Sequence, residues 1–370
     1  MIKGKSITSK RESVPECRVD YRKIDALNVS SIKCYDTDPV KFYREFILKQ
    51  KRADKKSTSL IIGDLADFYL LDCRGDDEEF ENRFHDKFAL YEGAKGTGQV
   101  FTLADKLYSV TETSLNSMGE VVISFEDRFK DAYDFMIHQG FYKGKTLEKV
   151  LEDFNDKGKD YFQTLLDNSC KIVVEVSLVD KSKKVATMLA TDPFTEEVFK
   201  EGDMDYLPKF PIEWEYTTQS GKVIKCKSEV DILKICHKEK KIYLKDLKTT
   251  YDNENFEYSY LKFRYDLQAA FYYLALEYWR KQEGMVDYTV EPMEFIVGDT
   301  SANNRRPVRF QTTLSDLDAG LNGCTIRGNR YKGIHELIDE ISWAEDNDIW
   351  NASKELCDNN GIMQLNLNYD

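Results

Sequence analysis

The run Ser228–Thr250, SEVDILKICHKEKKIYLKDLKTT, constrains this chain more than any other segment. Val230, Ile232, Leu233 and Ile235 form one β-rich run and Ile242, Tyr243, Leu244 and Leu247 another, with the polar stretch His237-Lys238-Glu239-Lys240 between them. No Asn-Gly or Gly-Gly marks a two-residue turn, so the loop type stays open. Any loop centred between Lys238 and Glu239 nevertheless sets one register, in which Asp231 lies opposite Asp246. Opposed residues share a face, with Cβ atoms about 5 Å apart. Lys248, two residues beyond Asp246, shares that face, as do Leu233, Ile235, Ile242 and Leu244 toward the turn. One end of the hairpin is therefore apolar and the other charged. A slip of one residue would send the two aspartates to opposite faces. Two carboxylates and a lysine so close together are costly unless something holds them. An ion-pair network does so, and so do a divalent cation and a phosphate.

The chain has 370 residues, enough for one large domain or two modest ones, and its 41% hydrophobic and 13% aromatic content supplies a substantial core. A net charge of −13 argues against general electrostatic adhesion to nucleic acid but leaves room for local basic channels. Lysines crowd the region from Lys222 to Lys245, and Arg305, Arg306 and Arg309 form a second cluster; a solvated face is the ordinary reading of such runs. The cysteines are scattered without a C-x-x-C pair, which weakens zinc and iron–sulfur readings, and the four histidines lack paired-ligand spacing. Without a leader-like or long apolar run, the expected location is cytoplasmic (host cytoplasm for a viral protein), with reduced thiols.

Residues 1–28 read as a polar, partly ordered arm. Asn28-Val29-Ser30-Ser31 marks a helix cap, and Asp38-Pro39 opens a helix to about Gln50. Leu60–Asp72 is an apolar helix, and 74–82 an acidic exposed stretch. The expected organisation is a single domain over 1–370. A mainly helical insertion occupies 74–205, a catalytic sheet with its following helix 206–313, and a helical segment 314–370. The β-rich part is expected to begin near Pro211, with Ile212–Thr217 and Lys222–Ile235 around a turn at Gln219-Ser220-Gly221. Tyr265–Gln282 is a long amphipathic helix, and Val290–Gly298 and Pro307–Thr313 are two further strands. Helices before and after a mixed sheet give an α/β core.

An acid-bearing helix, a strand Asp, a strand Asp-x-Lys and a helix Gln follow one another here, and this order resembles the PD-(D/E)xK nuclease superfamily. The nearest branch is that of RecB-type and RecE-type exonucleases and phage recombination exonucleases. Its Pro-containing first helix resembles Ser30–Ile47, and its G-x-x-x-H helix resembles Gly63-Asp64-Leu65-Ala66-Asp67, with Asp67 where histidine is usual. Its central motif corresponds to Asp231 and Asp246-Leu247-Lys248, followed by Thr249-Thr250, and its Q-x-x-x-Y to Gln268 and Tyr272. The matched elements run from about residue 30 to 275, across a long helical stretch that carries no motif.

The resemblance implies a restriction-endonuclease-like mixed central sheet flanked by helices, and metal-dependent hydrolysis of phosphodiester bonds. Asp67, Asp231, Asp246 and the Leu247 carbonyl would hold Mg²⁺ or Mn²⁺. Lys248 would orient a water and neutralise developing charge, and Gln268 and Tyr272 would position the nucleophile or the phosphate. An aspartate at position 67 either preserves the site with altered metal preference or marks a lapsed one; the presence of Asp231, Asp246, Lys248 and Gln268 favours preservation. Glu213 and Glu215 are further candidates whose register to Asp231 is open. The expected activity is exonuclease action on DNA ends in phage-type recombination, replication or repair. A structure-specific or nicking endonuclease and a catalytically lapsed DNA-binding protein are the alternatives. The implied partners are linear duplex ends or single strands of DNA, a single-strand annealing or binding protein, and further copies of the chain.

Overall fold

The computed structural model describes residues 24–50, 57–93, 98–115, 120–301 and 303–362. The expected arm over residues 1–28 lies mostly outside them. Its last residues are not loose: the Leu27 N–H donates to the Lys225 carbonyl at 2.9 Å, and the Leu27 carbonyl accepts the Lys227 N–H at 2.8 Å. Asn28 caps α1 (Val29–Thr37) through a reciprocal capping box with Ser31. Asp38 and Pro39 open α2 (Pro39–Phe42), which widens into a π turn at Tyr43–Ile47. Helix α3 (Thr58–Asp67) ends the same way at Phe68–Asp72.

The middle of the chain holds α4 (Asp77–Lys87), β1 (Phe88–Tyr91), α5 (Gln99–Thr113), α6 (Phe125–His138), α7 (Leu147–Lys157), α8 (Lys159–Asp167), β2 (Ile172–Glu175) and α9 (Val176–Thr191). The sheet region follows, with β3 (Asp205–Thr217), β4 (Val223–Cys236), β5 (Lys241–Thr250), α10 (Phe256–Lys262), α11 (Tyr265–Gln282), β6 (Thr289–Val290), β7 (Glu294–Asp299) and β8 (Val308–Gln311). Then come α12 (Leu314–Asn322), β9 (Cys324–Ile326), β10 (Asn329–Tyr331), α13 (Ile334–Asn347) and α14 (Lys354–Asp358).

The result is a mixed α/β architecture with a central sheet in the order β3-β4-β5-β7-β8, β6 pairing with β5. Strands β3, β4 and β5 are antiparallel, β5 and β7 parallel, and β7 and β8 antiparallel. Parallel pairing of β5 with β7 requires a crossover, which α10 and α11 supply. One sheet face packs Leu233, Leu244 and Phe295 against α1, α11 and α13. The other packs Ile232, Leu247 and Ile296 against α3, α4 and α9. Helices α5 to α8 surround a third core of their own, centred on Leu103, Leu107, Phe129 and Phe154.

Several expectations are corrected. Residues 74–82 are not merely an acidic surface: α4 keeps Asp77, Glu78 and Glu79 in solvent but turns Phe80, 1% exposed, and Phe84 into the second core. Within the expected 74–205 insertion, α4 and α9 contribute to the second core, which also holds Ile232, Leu247 and Ile296 of the sheet, while α5–α8 surround the third. Strand β3 begins at Asp205, six residues before Pro211. Pro208 and Pro211 conceal it in the sequence, and they are tolerated because β3 is an edge strand. The expected strand Val290–Gly298 is two strands, β6 and β7, separated around Pro292. The parallel pair β1–β2 and the hairpin β9–β10 were not anticipated. Among the described residues no helix is long and apolar enough to cross a membrane.

Candidate active site: a carboxylate–lysine cluster

Strands β4 and β5 pair from Cys236↔Lys241 to Ile232↔Lys245, the register centred between Lys238 and Glu239. The ladder stops one pair short of Asp231 and Asp246. There the Asp231 carboxylate takes over from the backbone, its Oδ2 accepting the Leu247 N–H at 3.0 Å.

The reason lies in β3. Pairs Pro208↔Ile232 and Phe210↔Val230 place Lys209 across from Asp231, and Lys209 has φ 51°. A left-handed residue reverses the alternation of a strand. Before this point Leu207 and, on β4, Leu233 and Ile235 face the α11 side; beyond it Phe210, Ile212 and Trp214 and, on β4, Val230 and Cys226 do so. Both strands therefore exchange faces at Lys209 and Asp231. This seam leaves Asp231 within reach of both the sheet face bearing Asp246 and the end of α3.

Two linked groups of charge meet there. In the first, Lys209, 9% exposed at its side chain, lies with Nζ 2.7 Å from Asp231 Oδ1 and also contacts Asp67 Oδ1. In the second, Asp246, 1% exposed, accepts from Gln268 Nε2 at 2.6 Å on Oδ1 and from Lys248 Nζ on Oδ2. Gln268 comes from α11 and Lys248 from β5, so strand and crossover helix hold the same carboxylate. The Tyr265 ring, one turn before Gln268, lies under two ammonium groups, with Lys33 Nζ 4.7 Å and Lys248 Nζ 4.9 Å from its centroid. Lys33 is delivered by α1. Arg264, in left-handed conformation before α11, ties α1 to α11 by pairing with both Asp36 and Asp266.

Three carboxylates and three lysines therefore balance within one region, and burial decides how each titrates. Desolvation raises the Asp246 pKa to about 7, Lys248 pulling it down and Asp231 pushing it up. Burial works in the same direction on Asp231, but Lys209 and Lys248 outweigh it and hold Asp231 below the usual carboxylate range. Burial, and then Asp231, leave Asp67 above that range despite Lys209. Burial and the neighbouring Lys248 charge lower Lys33 to about 7. Burial disfavours the Lys248 and Lys209 charges as well, but their carboxylate partners keep both pKa values raised.

Of the residues expected from the sequence, Asp67, Asp231, Asp246, Lys248 and Gln268 belong to this region. Tyr272 is half-buried against the main core one turn beyond Gln268. The Leu247 side chain is buried on the opposite sheet face, with its N–H committed to Asp231. Glu213 and Glu215 are exposed across from Lys227 and Lys225, on the part of β3 beyond the seam. Lys33, Lys209 and Tyr265 were not anticipated. The basic clusters are extensively paired: Lys222 with Glu345 and Asp346, Lys245 with Glu294, Arg305 with Asp252, Arg306 with Asp192, and Arg309 with Glu294. The three arginines line an open cleft of about 690 Å³ with Phe194 and Pro307, none of whose lining residues belongs to the carboxylate–lysine cluster.

The cluster can be tested for a cation directly, because it contains one. The Lys209 ammonium is a stand-in ion on which Asp67 Oδ1 and Asp231 Oδ1 converge. Carboxylate oxygens suit Mg²⁺ and Mn²⁺, and one or two of them suffice when water and phosphate complete the shell. Among the described residues no three His, Cys, Asp or Glu side chains gather at metal-binding spacing. Asp67 Oδ1 and Asp231 Oδ1 share the Lys209 cation, while Asp246 is held by Lys248 and Gln268, so two carboxylates are what the residues offer a cation at that position. No protein-family model matches this chain, and no curated protein matches it either.

Proposed function

We propose that this chain is a divalent-metal-dependent nuclease on a restriction-endonuclease-like sheet, acting as an exonuclease on DNA ends. The observation that carries this reading is the capture of the buried Asp246 by Lys248 from its own strand and Gln268 from the crossover helix, beside the Asp67–Asp231 pair. Asp67 and Asp231 would hold Mg²⁺ or Mn²⁺, with the Leu247 carbonyl as a further oxygen. When bound, such an ion polarises a phosphoryl oxygen and lowers the pKa of a coordinated water.

The remaining work falls to the chain's own groups. Lys248 keeps its charge and offers it to a phosphate approaching Asp246. Asp246, with its pKa near neutrality, can take or return a proton at Oδ2, while Gln268 fixes Oδ1. Lys248, over the Tyr265 ring, supplies positive charge next to the carboxylates, and Lys33 over the same ring adds to it when protonated. Tyr272 lines the same helix one turn on.

A route for the substrate is supported by the corner between α10 and α11. Tyr258 and Phe263 are 71% and 50% exposed, and Lys262 Nζ lies 5.7 Å and 5.4 Å from their ring centroids. Phe263 in turn packs 5.9 Å from Tyr265. Exposed rings interleaved with a cation, leading to the buried cluster, suit unstacked bases and a backbone phosphate.

The test is a digest of linear, end-blocked and circular DNA with Mg²⁺ or Mn²⁺. The exonuclease reading expects loss of linear DNA alone, and cleavage of circular DNA would replace it with an endonuclease. A second reading, a catalytically lapsed DNA-binding protein on the same fold, is favoured by one observation, the Lys209 ammonium in the cation position; it expects DNA binding and no cleavage of any of the three.

A further inference from the structure

The position between Asp67 and Asp231 is filled by a residue that the local backbone holds there at a cost. Lys209 lies in the left-handed region, unfavourable for a side chain with a Cβ, within a 13-residue strand that is otherwise regular in its pairing. Its ammonium is nearly buried and makes ion pairs to carboxylates from two different elements, α3 and β4. Those contacts explain why the strand tolerates the conformation. They also mean that Asp67 and Asp231 come together around a charge that the chain itself provides.

We propose that Lys209 is a built-in competitor for this cation position, so that a divalent ion binds Asp67 and Asp231 only by displacing the Lys209 ammonium. The inference rests on the reading of these two aspartates as metal ligands. An ammonium and a divalent ion cannot share two carboxylate oxygens at hydrogen-bond distance, because the like charges would lie in direct contact. The flexible four-carbon stem of lysine lets the ammonium leave while the strand keeps its pairing. Displacement sets a threshold on affinity for any divalent ion, and Mn²⁺ is the better probe because Mg²⁺ gives up its water shell reluctantly. Metal-free protein is correspondingly protected from carrying two bare carboxylates in a partly buried site.

The experiment uses the full chain stripped with EDTA, with Mn²⁺ alone as probe and binding read by calorimetry and by the electron paramagnetic resonance signal of free Mn²⁺. Lys209→Met keeps the stem and removes the charge. It is expected to bind Mn²⁺ at least about tenfold more tightly than the unaltered protein, and a further Asp67→Asn is expected to remove that gain. Equal binding by Lys209→Met and the unaltered protein, or a gain that survives Asp67→Asn, overturns the proposal. Should Lys209→Met not fold, amine acetylation of the unaltered protein read by mass spectrometry decides. Lys209 is expected to become reactive as Mn²⁺ is added, and unchanged protection overturns the proposal. No DNA cleavage enters these readouts. A protein whose Lys209→Met variant gains Mn²⁺ affinity but that never cuts DNA keeps this inference and loses the nuclease reading. Cleavage with Lys209 still protected does the reverse.

Discussion

At the scale of single residues, the cluster is governed by burial acting against charge. Asp246 has a folded pKa of about 7, against about 4 in an unfolded chain. Between those values the folded protein holds a proton that the unfolded chain has lost, so stability falls as pH rises through that window. Lys33 works in the opposite direction. Its folded pKa of about 7 lies below the usual value near 10.4, so between them the unfolded chain binds the extra proton and stability rises with pH. From these two groups the metal-free protein is expected to be less stable near neutrality than on either side. Urea denaturation in EDTA at about pH 5, 7 and 9 measures this. Asp246→Asn is expected to flatten the acid side and Lys33→Met the alkaline side; an unchanged acid-side slope in Asp246→Asn would refute the assignment. Asp231, Asp246 and Lys248 were legible in the sequence because strand spacing aligns them, and Gln268 because it stands where the resembled family motif carries its glutamine. Lys209 was not, since nothing in Leu207-Pro208-Lys209-Phe210 announces a left-handed lysine. Lys33 stands beside the buried Ile32 in a short capped helix, where a lysine ordinarily reads as solvated.

At the scale of elements, the site depends on how closely α3 approaches β5. Gly63 in α3 costs roughly 1 kcal/mol of helix stability relative to alanine. A Cβ at that position would stand 3.0 Å from Thr249 Oγ1, just beyond Lys248. Gly63→Ala is therefore expected to leave overall stability within about 1 kcal/mol, helix propensity offsetting the contact. It should slow DNA hydrolysis several-fold by moving Asp67, at the end of the same helix. A thermal melt beside a nuclease assay checks this, and a raised melting temperature with unaltered hydrolysis would contradict it. The hairpin register was readable once the loop was centred between Lys238 and Glu239, the centre of the observed pairing from Cys236↔Lys241 to Ile232↔Lys245. The face exchange at Lys209 and Asp231 was not, because strand periodicity gives no warning where alternation reverses. Asp67, in the place where the resembled motif carries histidine, gives Lys209 its second partner. The aspartate and the lysine thus form one local arrangement.

At the scale of the whole molecule, the sheet divides the described residues into an α1–α11–α13 face and an α3–α4–α9 face, with α5–α8 around a separate core. The α/β class and the long crossover helix followed from the alternation of strand-like and helical periods. The parallel pair β1–β2, which lies before and after α5–α8, did not, because four-residue strands carry too little pattern to be seen in a helical region. The cluster sits where helices of both faces reach one seam: α1 and α11 bring Lys33 and Gln268, and α3 brings Asp67. The activity proposed for this seam is hydrolysis of phosphodiester bonds. Release of acid-soluble nucleotides from linear duplex DNA in Mn²⁺, measured for the unaltered protein and for Asp246→Asn, tests it most directly. Release by the unaltered protein is expected, with a loss of about 100-fold or more in the variant and its fold retained. No release by the unaltered protein, or equal release by both, would contradict the proposed activity.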